Sequence, residues 1–242
     1  MQDAKIRLYV KQPLAPGQAV ALSRDQAHYL FTVMRLGAGA PVLLFNGQDG
    51  EWRAEVAVAG KHGGVLTCEA QTRALQAPPD LWLLFAPIKK ARTDFIVEKA
   101  VEMGAARVMP VQTAHGNADR IRQDRLQAHA VEAAEQCGAT VVPEVADLVA
   151  LDRLLAGWPV ERRILWADET LVGARDALQA AGRGGPWAIL VGPEGGFSEK
   201  ERARLRAMPQ VVPISLGPRI LRADTAAVAA LTLWQSVLGD WA

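Results

Sequence analysis

LVGPEGGFSEKE, residues Leu190 to Glu201, and SLGPRILRADTAA, residues Ser215 to Ala227, share one grammar. Each begins at the end of a short apolar run, passes through a Gly/Pro loop that carries charge, and enters a helix-forming segment. Two such corners close in sequence predict two loops at one edge of a parallel sheet, the edge where open α/β sheets bind ligands. In the first, Trp187 to Val191 reads as the strand, and the glycines let backbone take positive φ and let a ligand approach the main chain. Ser198 and Glu201 form a capping box, so the helix is expected to begin at Glu199. A helix start favours anions, but Glu194 already places negative charge in this loop. The loop therefore suits an adenine, a ribose or a cationic ligand better than a polyphosphate. In the second, Val211 to Leu216 is the strand, Arg219 and Arg222 flank the apolar pair Ile220-Leu221, and Asp224 or Thr225 is placed to cap the final helix. That helix is apolar nearly all round and must be buried, in the core or in a subunit interface.

Working outward, LWLLFAP (Leu81 to Pro87) is a continuous apolar run, as in a strand buried on both faces. A helix follows from Lys89 to Met103, with Phe95, Ile96, Lys99, Ala100 and Met103 toward one side, and Gly104 closes it. Val108 to Val111 is strand-like, Thr113 to Asp124 a polar loop, and Arg125 to Cys137 a helix stopped by Gly138. Val141-Val142 reads as a short strand, Leu148 to Leu155 as a helix, Arg163 to Ala167 as a strand ending in Asp168-Glu169, and Asp176 to Ala181 as a helix before the turn Gly182 to Pro186. Strands alternating with helices imply a parallel sheet covered on both faces. Residues 1–72 read differently. Ile6, Leu8 and Val10 alternate, as do Trp52, Ala54, Val56 and Val58. Ser23 to Gln26 is a capping box ahead of a short helix, Pro41 to Phe45 is a strand, and Asn46-Gly47 and Gly63-Gly64 signal turns. These predict a small β-barrel or sheet, and the Pro78-Pro79 connector within Gln71 to Asp80 separates it from residues 73–242.

Composition narrows the classes. Half of the 242 residues are hydrophobic, enough for a sizeable core. There is neither a transmembrane run nor a secretory leader, so a cytoplasmic protein with no membrane partner is expected. Cys68 and Cys137 form no disulfide framework, and the four histidines have no metal-ligand spacing, so no metal is expected. Net charge is +1 and does not bear on nucleic acid. The arginines of Arg202 to Arg206 read as a solvated helix face, whereas loop arginines are candidates for an anion. Dinucleotide, P-loop, nucleophile-elbow and zinc-protease motifs are absent, which removes the best evidence for kinases, dehydrogenases, serine hydrolases and zincins.

The two glycine loops, together with PIKKARTDFIVEKAVEMGA (Pro87 to Ala105), AVEAAEQCGATVVPEV (Ala130 to Val145) and HYLFTVMRLGAGAPVLLFNGQDGEWRAEV (His28 to Val56), resemble the RsmE family of ribosomal RNA small-subunit methyltransferases in the SPOUT superfamily. The likeness runs over nearly the whole chain. It implies an α/β fold: a SPOUT-type, trefoil-knotted parallel-sheet domain over 73–242, preceded by a PUA-like, RNA-binding β-barrel over 1–72. It implies a homodimer that methylates uridine N3 in 16S rRNA of the small ribosomal subunit, with S-adenosyl-L-methionine (SAM) held in the knot. By the same resemblance, Leu190, Gly192, Pro193, Glu194, Gly195, Gly196, Ser215, Leu216, Gly217, Ile220, Leu221 and Thr225 bind the cofactor, and Arg219, Arg222 and Glu194 act on the base. The loop Thr113 to Asn117 lacks the Thr-x-Arg-Ser run of many members, so His115 or Asn117 would replace that arginine's contact. The apolar last helix agrees with dimerisation. Asp168-Glu169 reads as a simple exposed strand end, with the candidate edge as the alternative. Three other readings stay open: a SPOUT ribose 2′-O-methyltransferase on rRNA or tRNA, a non-catalytic RNA-binding assembly factor, and a different nucleotide-binding α/β protein.

Overall fold

Alternation builds the first unit. In the computed structural model, which describes residues 4–60, 62–116, 119–168, 178, 182 and 184–241, strands β1 (Arg7–Tyr9), β2 (Ala19–Ala21), β3 (Pro41–Phe45), β4 (Glu51–Gly60) and β5 (Gly63–Arg73) form one sheet in the order β1-β3-β4-β5-β2. Leu8, Val20, Val42, Leu44, Ala54, Val56 and Leu66 point into its core. Helix α1 (Arg24–Ala27) has both bonds of its capping box and widens into a π-helical stretch, His28–Val33, which adds Leu30 to the same core. The Asn46 side chain accepts the amides of Gln48 and Asp49 at 3.0 and 2.8 Å, and Gly47 takes φ +80°, which makes the expected turn. Two details differ from expectation. Gly63-Gly64 is not the turn but the start of β5, with Gly63 paired to Gly60; a Cβ on Gly64 would lie 2.6 Å from the Phe31 ring. A register shift between Val56 and Val58 breaks the alternation and leaves Val58 exposed. The unit comprises Met1–Ala77 and Ala134–Val142.

The second unit, Pro78–Ala133 with Pro143–Ala242, is a parallel sheet. Its strands are β6 (Leu81–Phe85), β7 (Arg107–Gln112), β8 (Glu144–Val145), β9 (Val149–Ala150), β10 (Arg163–Ala167), β11 (Trp187–Val191) and β12 (Val211–Ile214). They run in the order β12-β10-β11-β6-β7-β8, with β9 also on β7. The central strands β6, β10 and β11 are almost wholly buried, which is why they read as unbroken apolar runs. Helix α2 (Lys90–Glu102) buries Thr93, Ile96, Val97, Ala100 and Val101, so the inward face is rotated from the expected one; Phe95 is exposed, with Lys99 Nζ 5.3 Å from its ring centre. Helix α3 (Gln123–Cys137) ends at Gly138, φ +86°. The short strand expected at Val141-Val142 forms instead at Glu144–Val145, beyond Pro143, where it pairs with β7. The expected helix over 148–155 begins with β9 and becomes helical only as α4 (Leu151–Ala156). Helix α5 (Glu199–Arg206) starts where its capping box places it. The helix expected over 176–181 lies outside the described residues apart from Leu178, which is buried.

The last helix, α6 (Ala223–Val237), is capped two residues before Asp224, the first of the expected caps. Its N-cap is Arg222, which supplies no side-chain bond, while Asp224 accepts the Thr225 amide at 2.9 Å and pairs with Arg92 at 3.2 Å. Ala223, Ala226, Ala227, Ala230, Leu231 and Trp234 are buried as the helix packs on α2 and β11. Val228, Ala229, Leu233 and Val237 are only partly covered. Among the described residues no helix is long and apolar enough to cross a membrane.

Candidate functional site

Strands β10, β11 and β12 end at one edge of the sheet, and the loops that leave β11 and β12 meet there. Leu190, fully buried, is held by registers that pair it with Trp166 on β10 and Leu84 on β6. Past Val191 the chain turns: the Gly196 amide donates to Pro193 O at 2.9 Å, and Gly196 takes φ +69°. Gly192 is a glycine for a different reason. A Cβ there would come within 2.7 Å of the Phe197 ring, which is buried and set edge-on to Trp166 at 5.9 Å. The turn is locked by α5: Ser198 and Glu201 exchange capping bonds, with Ser198 N and Oγ each 2.8 Å from Glu201 Oε2. In the second loop, buried Ser215 accepts the Gly217 amide at 3.3 Å, and Gly217 adopts φ +111°, a conformation open to glycine.

Between the loops lies a cleft of about 210 Å³. Gly192, Pro193, Glu194, Gly195 and Gly196 form one wall, and Leu216, Gly217, Arg219, Ile220 and Leu221 the other. Val191, Phe197, Ala223 and Ala226 supply apolar surface, and Ala167-Asp168 closes the end between the strands. The remaining residues expected at the site fall outside this lining. Leu190 and Ser215 support the walls from beneath, Thr225 is exposed on the first turn of α6, and Arg222 lines an adjoining cavity of about 360 Å³ with Lys89, Arg92, Glu194, Ile220 and Leu221. Glu194, Ile220 and Leu221 are common to both hollows, and Ile220 is 86% exposed at their shared rim.

Three residues gain roles that their local sequence does not reveal. Asp168, read as an exposed strand end, is 1% exposed and bonds Arg202 at 2.6 Å. Arg202, read as part of a solvated face, is buried with it and also donates to Phe197 O at 3.1 Å, so this pair braces the cleft from below. Arg204 pairs with Asp152, which leaves Arg206 as the exposed member of that run. His115 stands beside the first loop, its Nδ1 3.1 Å from Gly195 O, and Ala114 N donates to Glu201 Oε1 at 2.9 Å. The loop after β7 is thereby fastened to the glycine loop. Asn117 lies outside the described residues. The signals were a polar residue at each strand end; the partners, 34 and 80 positions away, are visible only in the fold.

The chemistry of this lining is selective. Exposed main chain from two glycine loops over an apolar floor suits a flat heteroaromatic group. Glu194 suits a cation, and Arg219 offers a fixed positive charge to an anion that develops during a reaction. An adenosyl sulfonium fits that donor set better than a nucleoside polyphosphate does.

Comparison with known proteins points the same way. Residues 76–235 match the model of an RNA methyltransferase domain, and residues 22–67 that of an RNA methyltransferase PUA domain. The chain is 29% identical over 228 residues to ribosomal RNA small subunit methyltransferase E of Rickettsia conorii, with 93% of each chain covered. It is 27% identical to the protein of that name from Bacillus subtilis, over 92% of this chain and 91% of the other. Among solved structures, it is similar to ribosomal RNA small subunit methyltransferase E from Neisseria gonorrhoeae bound to S-adenosyl methionine, with TM-score 0.87, 26% identity and coverage of 98% and 99%. A methyltransferase from Legionella pneumophila, also with bound SAM, superposes with TM-score 0.88 at 27% identity over 97% and 98% of the two chains.

Proposed function

We propose that this chain, which belongs to the RNA methyltransferase family, is a SAM-dependent enzyme methylating N3 of one uridine in 16S rRNA of the small ribosomal subunit. The observation that carries this reading is the meeting of the two glycine loops over one cleft that holds both Glu194 and Arg219. In this reading the main chain of Gly192, Gly196, Leu216 and Leu221 holds the adenine and methionine parts of SAM. Leu190 and Ser215 position those loops. SAM supplies an electrophilic methyl group on a sulfonium. Glu194 faces that positive charge or orients the base.

Uracil N3 bears a proton, and its lone pair becomes a strong nucleophile only as that proton departs. With SAM held in the cleft, the N3–C bond would form as the C–S bond breaks, leaving S-adenosylhomocysteine, and the N3 proton would be released to solvent. Negative charge spreads over the ring and its two carbonyl oxygens during this change. Arg219, on the cleft wall, carries a positive charge that would stabilise it, a role whose loss elsewhere costs about 10²- to 10³-fold in kcat. N3 lies on the Watson–Crick edge, so the uridine must be unpaired or drawn out of its stack. Residues 1–72 serve as an RNA-binding domain, the partly covered face of α6 joins two copies into a homodimer, and the protein works in the cytoplasm, where small subunits are assembled.

The test is transfer of labelled methyl from SAM to purified small subunits lacking the modification, followed by nucleoside analysis. The expected product is N3-methyluridine, and Arg219→Ala lowers its rate about 100-fold with little change in SAM affinity. A 2′-O-methylated nucleoside as the product, or no transfer at all, contradicts the proposal.

A further inference from the structure

The adjoining cavity shares Glu194, Ile220 and Leu221 with the cleft, and the rest of its lining is built around charge. Lys89 and Arg222 are the N-cap residues of α2 and α6, and Arg92 lies one turn into α2. Neither helix has a side-chain cap bond; α6 carries Asp224 in its first turn, whereas α2 has no acidic residue there, and a cation is the wrong charge for a helix start unless an anion sits against it. Three cations therefore line a hollow of about 360 Å³ against a single lining carboxylate, Glu194. Their states differ. Arg92 is oriented by Asp224 at 3.2 Å and is partly buried, whereas Lys89 is exposed and has no ion-pair partner among the described residues. Thr93 pins the turn in front of α2, with its hydroxyl 3.0 Å from Ile88 N and 3.1 Å from Ile88 O, so the Lys89 backbone is held in place.

We infer that this cavity binds a backbone phosphate of the nucleotide being methylated, with Lys89, Arg92 and Arg222 as its ligands. The inference rests on the proposed function and adds a substrate subsite to it. The cavity shares Glu194, Ile220 and Leu221 with the cleft, so a group bound in one abuts a group bound in the other. Ile220, at the common rim, gives an unstacked base an apolar surface to rest on. With Glu194 turned toward the cleft's cation, the hollow retains the positive charge that a phosphodiester needs. Lys89 and Arg92 are thus positioning residues: they fix the nucleotide while the chemistry proceeds in the neighbouring cleft.

The experiment compares wild type with Lys89→Ala and Lys89→Arg as full-length proteins. Steady-state methylation of unmodified small subunits is followed over a range of KCl concentrations, and SAM affinity is measured by calorimetry. For Lys89→Ala, KM for subunits rises about tenfold and kcat changes little. One phosphate contact fewer lowers the steepness of log affinity against log salt by about 0.7 to 0.9. SAM affinity stays within about twofold, and Lys89→Arg recovers most of the KM. An unchanged KM and salt slope overturns the inference. So does a loss of SAM affinity with the slope intact, which would give the cavity to the cofactor's carboxylate. Failure of the wild type to transfer methyl from SAM is a separate result, and it strikes the proposed function itself.

Discussion

Gly196 stands at φ +69°, where an L side chain costs about 1–2 kcal/mol and a β-branched one more. Gly196→Val is therefore expected to weaken SAM binding at least about tenfold, since 1.4 kcal/mol is one decade of affinity, while the circular dichroism of the folded chain is retained. Unaltered affinity in calorimetry would take the glycine loop out of the site. At this scale much was readable beforehand. The GPEGG segment and, apart from Pro218, the LGPRIL segment line one cleft, as two loops of glycine, proline and charge at one sheet edge lead one to expect. Gly192 was readable as a loop glycine but not for its structural reason, the Phe197 ring lying where its Cβ would be. Asp168 and Arg202 were misread because each looks solvated among its neighbours, and each becomes buried only through the other. Arg219 and Arg222, indistinguishable in sequence, separate in space: the first lines the cleft and the second the cavity beside it.

Among the elements, α5 links the site to its surroundings. Glu201, 7% exposed, closes the helix's capping box and at the same time accepts the Ala114 amide. Glu201→Ala loses a cap and strands a partly buried amide, so a destabilisation of about 2–3 kcal/mol is expected in urea unfolding. SAM affinity falls with it, as His115 and its loop lose their hold on Gly195. A loss below about 0.5 kcal/mol, the range of ordinary surface changes, would contradict this double role. Strands β10 and β11 and the start of α5 were legible to the residue, and β6 starts where its apolar run does but stops two residues before the run ends. Burial on both faces and reciprocal capping are local signatures. The start of α6 was not, since sequence favours Asp224 or Thr225 as the cap, whereas Asp224 is drawn to Arg92 of another helix. Neither was β8, where pairing with β7 displaced the strand beyond Pro143.

At the scale of the whole molecule, the unit formed by Met1–Ala77 and Ala134–Val142 depends on Glu51. This carboxylate, 3% exposed, meets Arg7 at 2.7 Å and Arg73 at 2.6 Å. Arg7 in turn donates to Ala134 O at 2.6 Å, and Arg73 to Gly138 O at 2.8 Å. Separations of 65 to 127 positions kept this clamp out of reach of any local pattern. Burial pushes the Glu51 carboxyl up, but the bonds from Arg73, Arg7 and Thr72 outweigh it and bring the pKa from 4.5 to about 2. A depressed carboxyl stabilises the fold above its unfolded value, so this contribution is complete above about 4.5 and is lost as pH falls toward 2. Glu51→Gln is expected to unfold more readily at neutral pH and to lose less stability than wild type between pH 4.5 and 2; parallel curves would contradict the clamp. The central claim concerns the molecule as a methyltransferase of the small subunit. It is tested most directly by mass mapping of 16S rRNA from a strain in which the gene is deleted. One N3-methyluridine is expected to disappear, to return with the wild-type gene, and not to return to normal levels with Arg219→Ala. An unchanged methylation map in the deletion strain would contradict the claim.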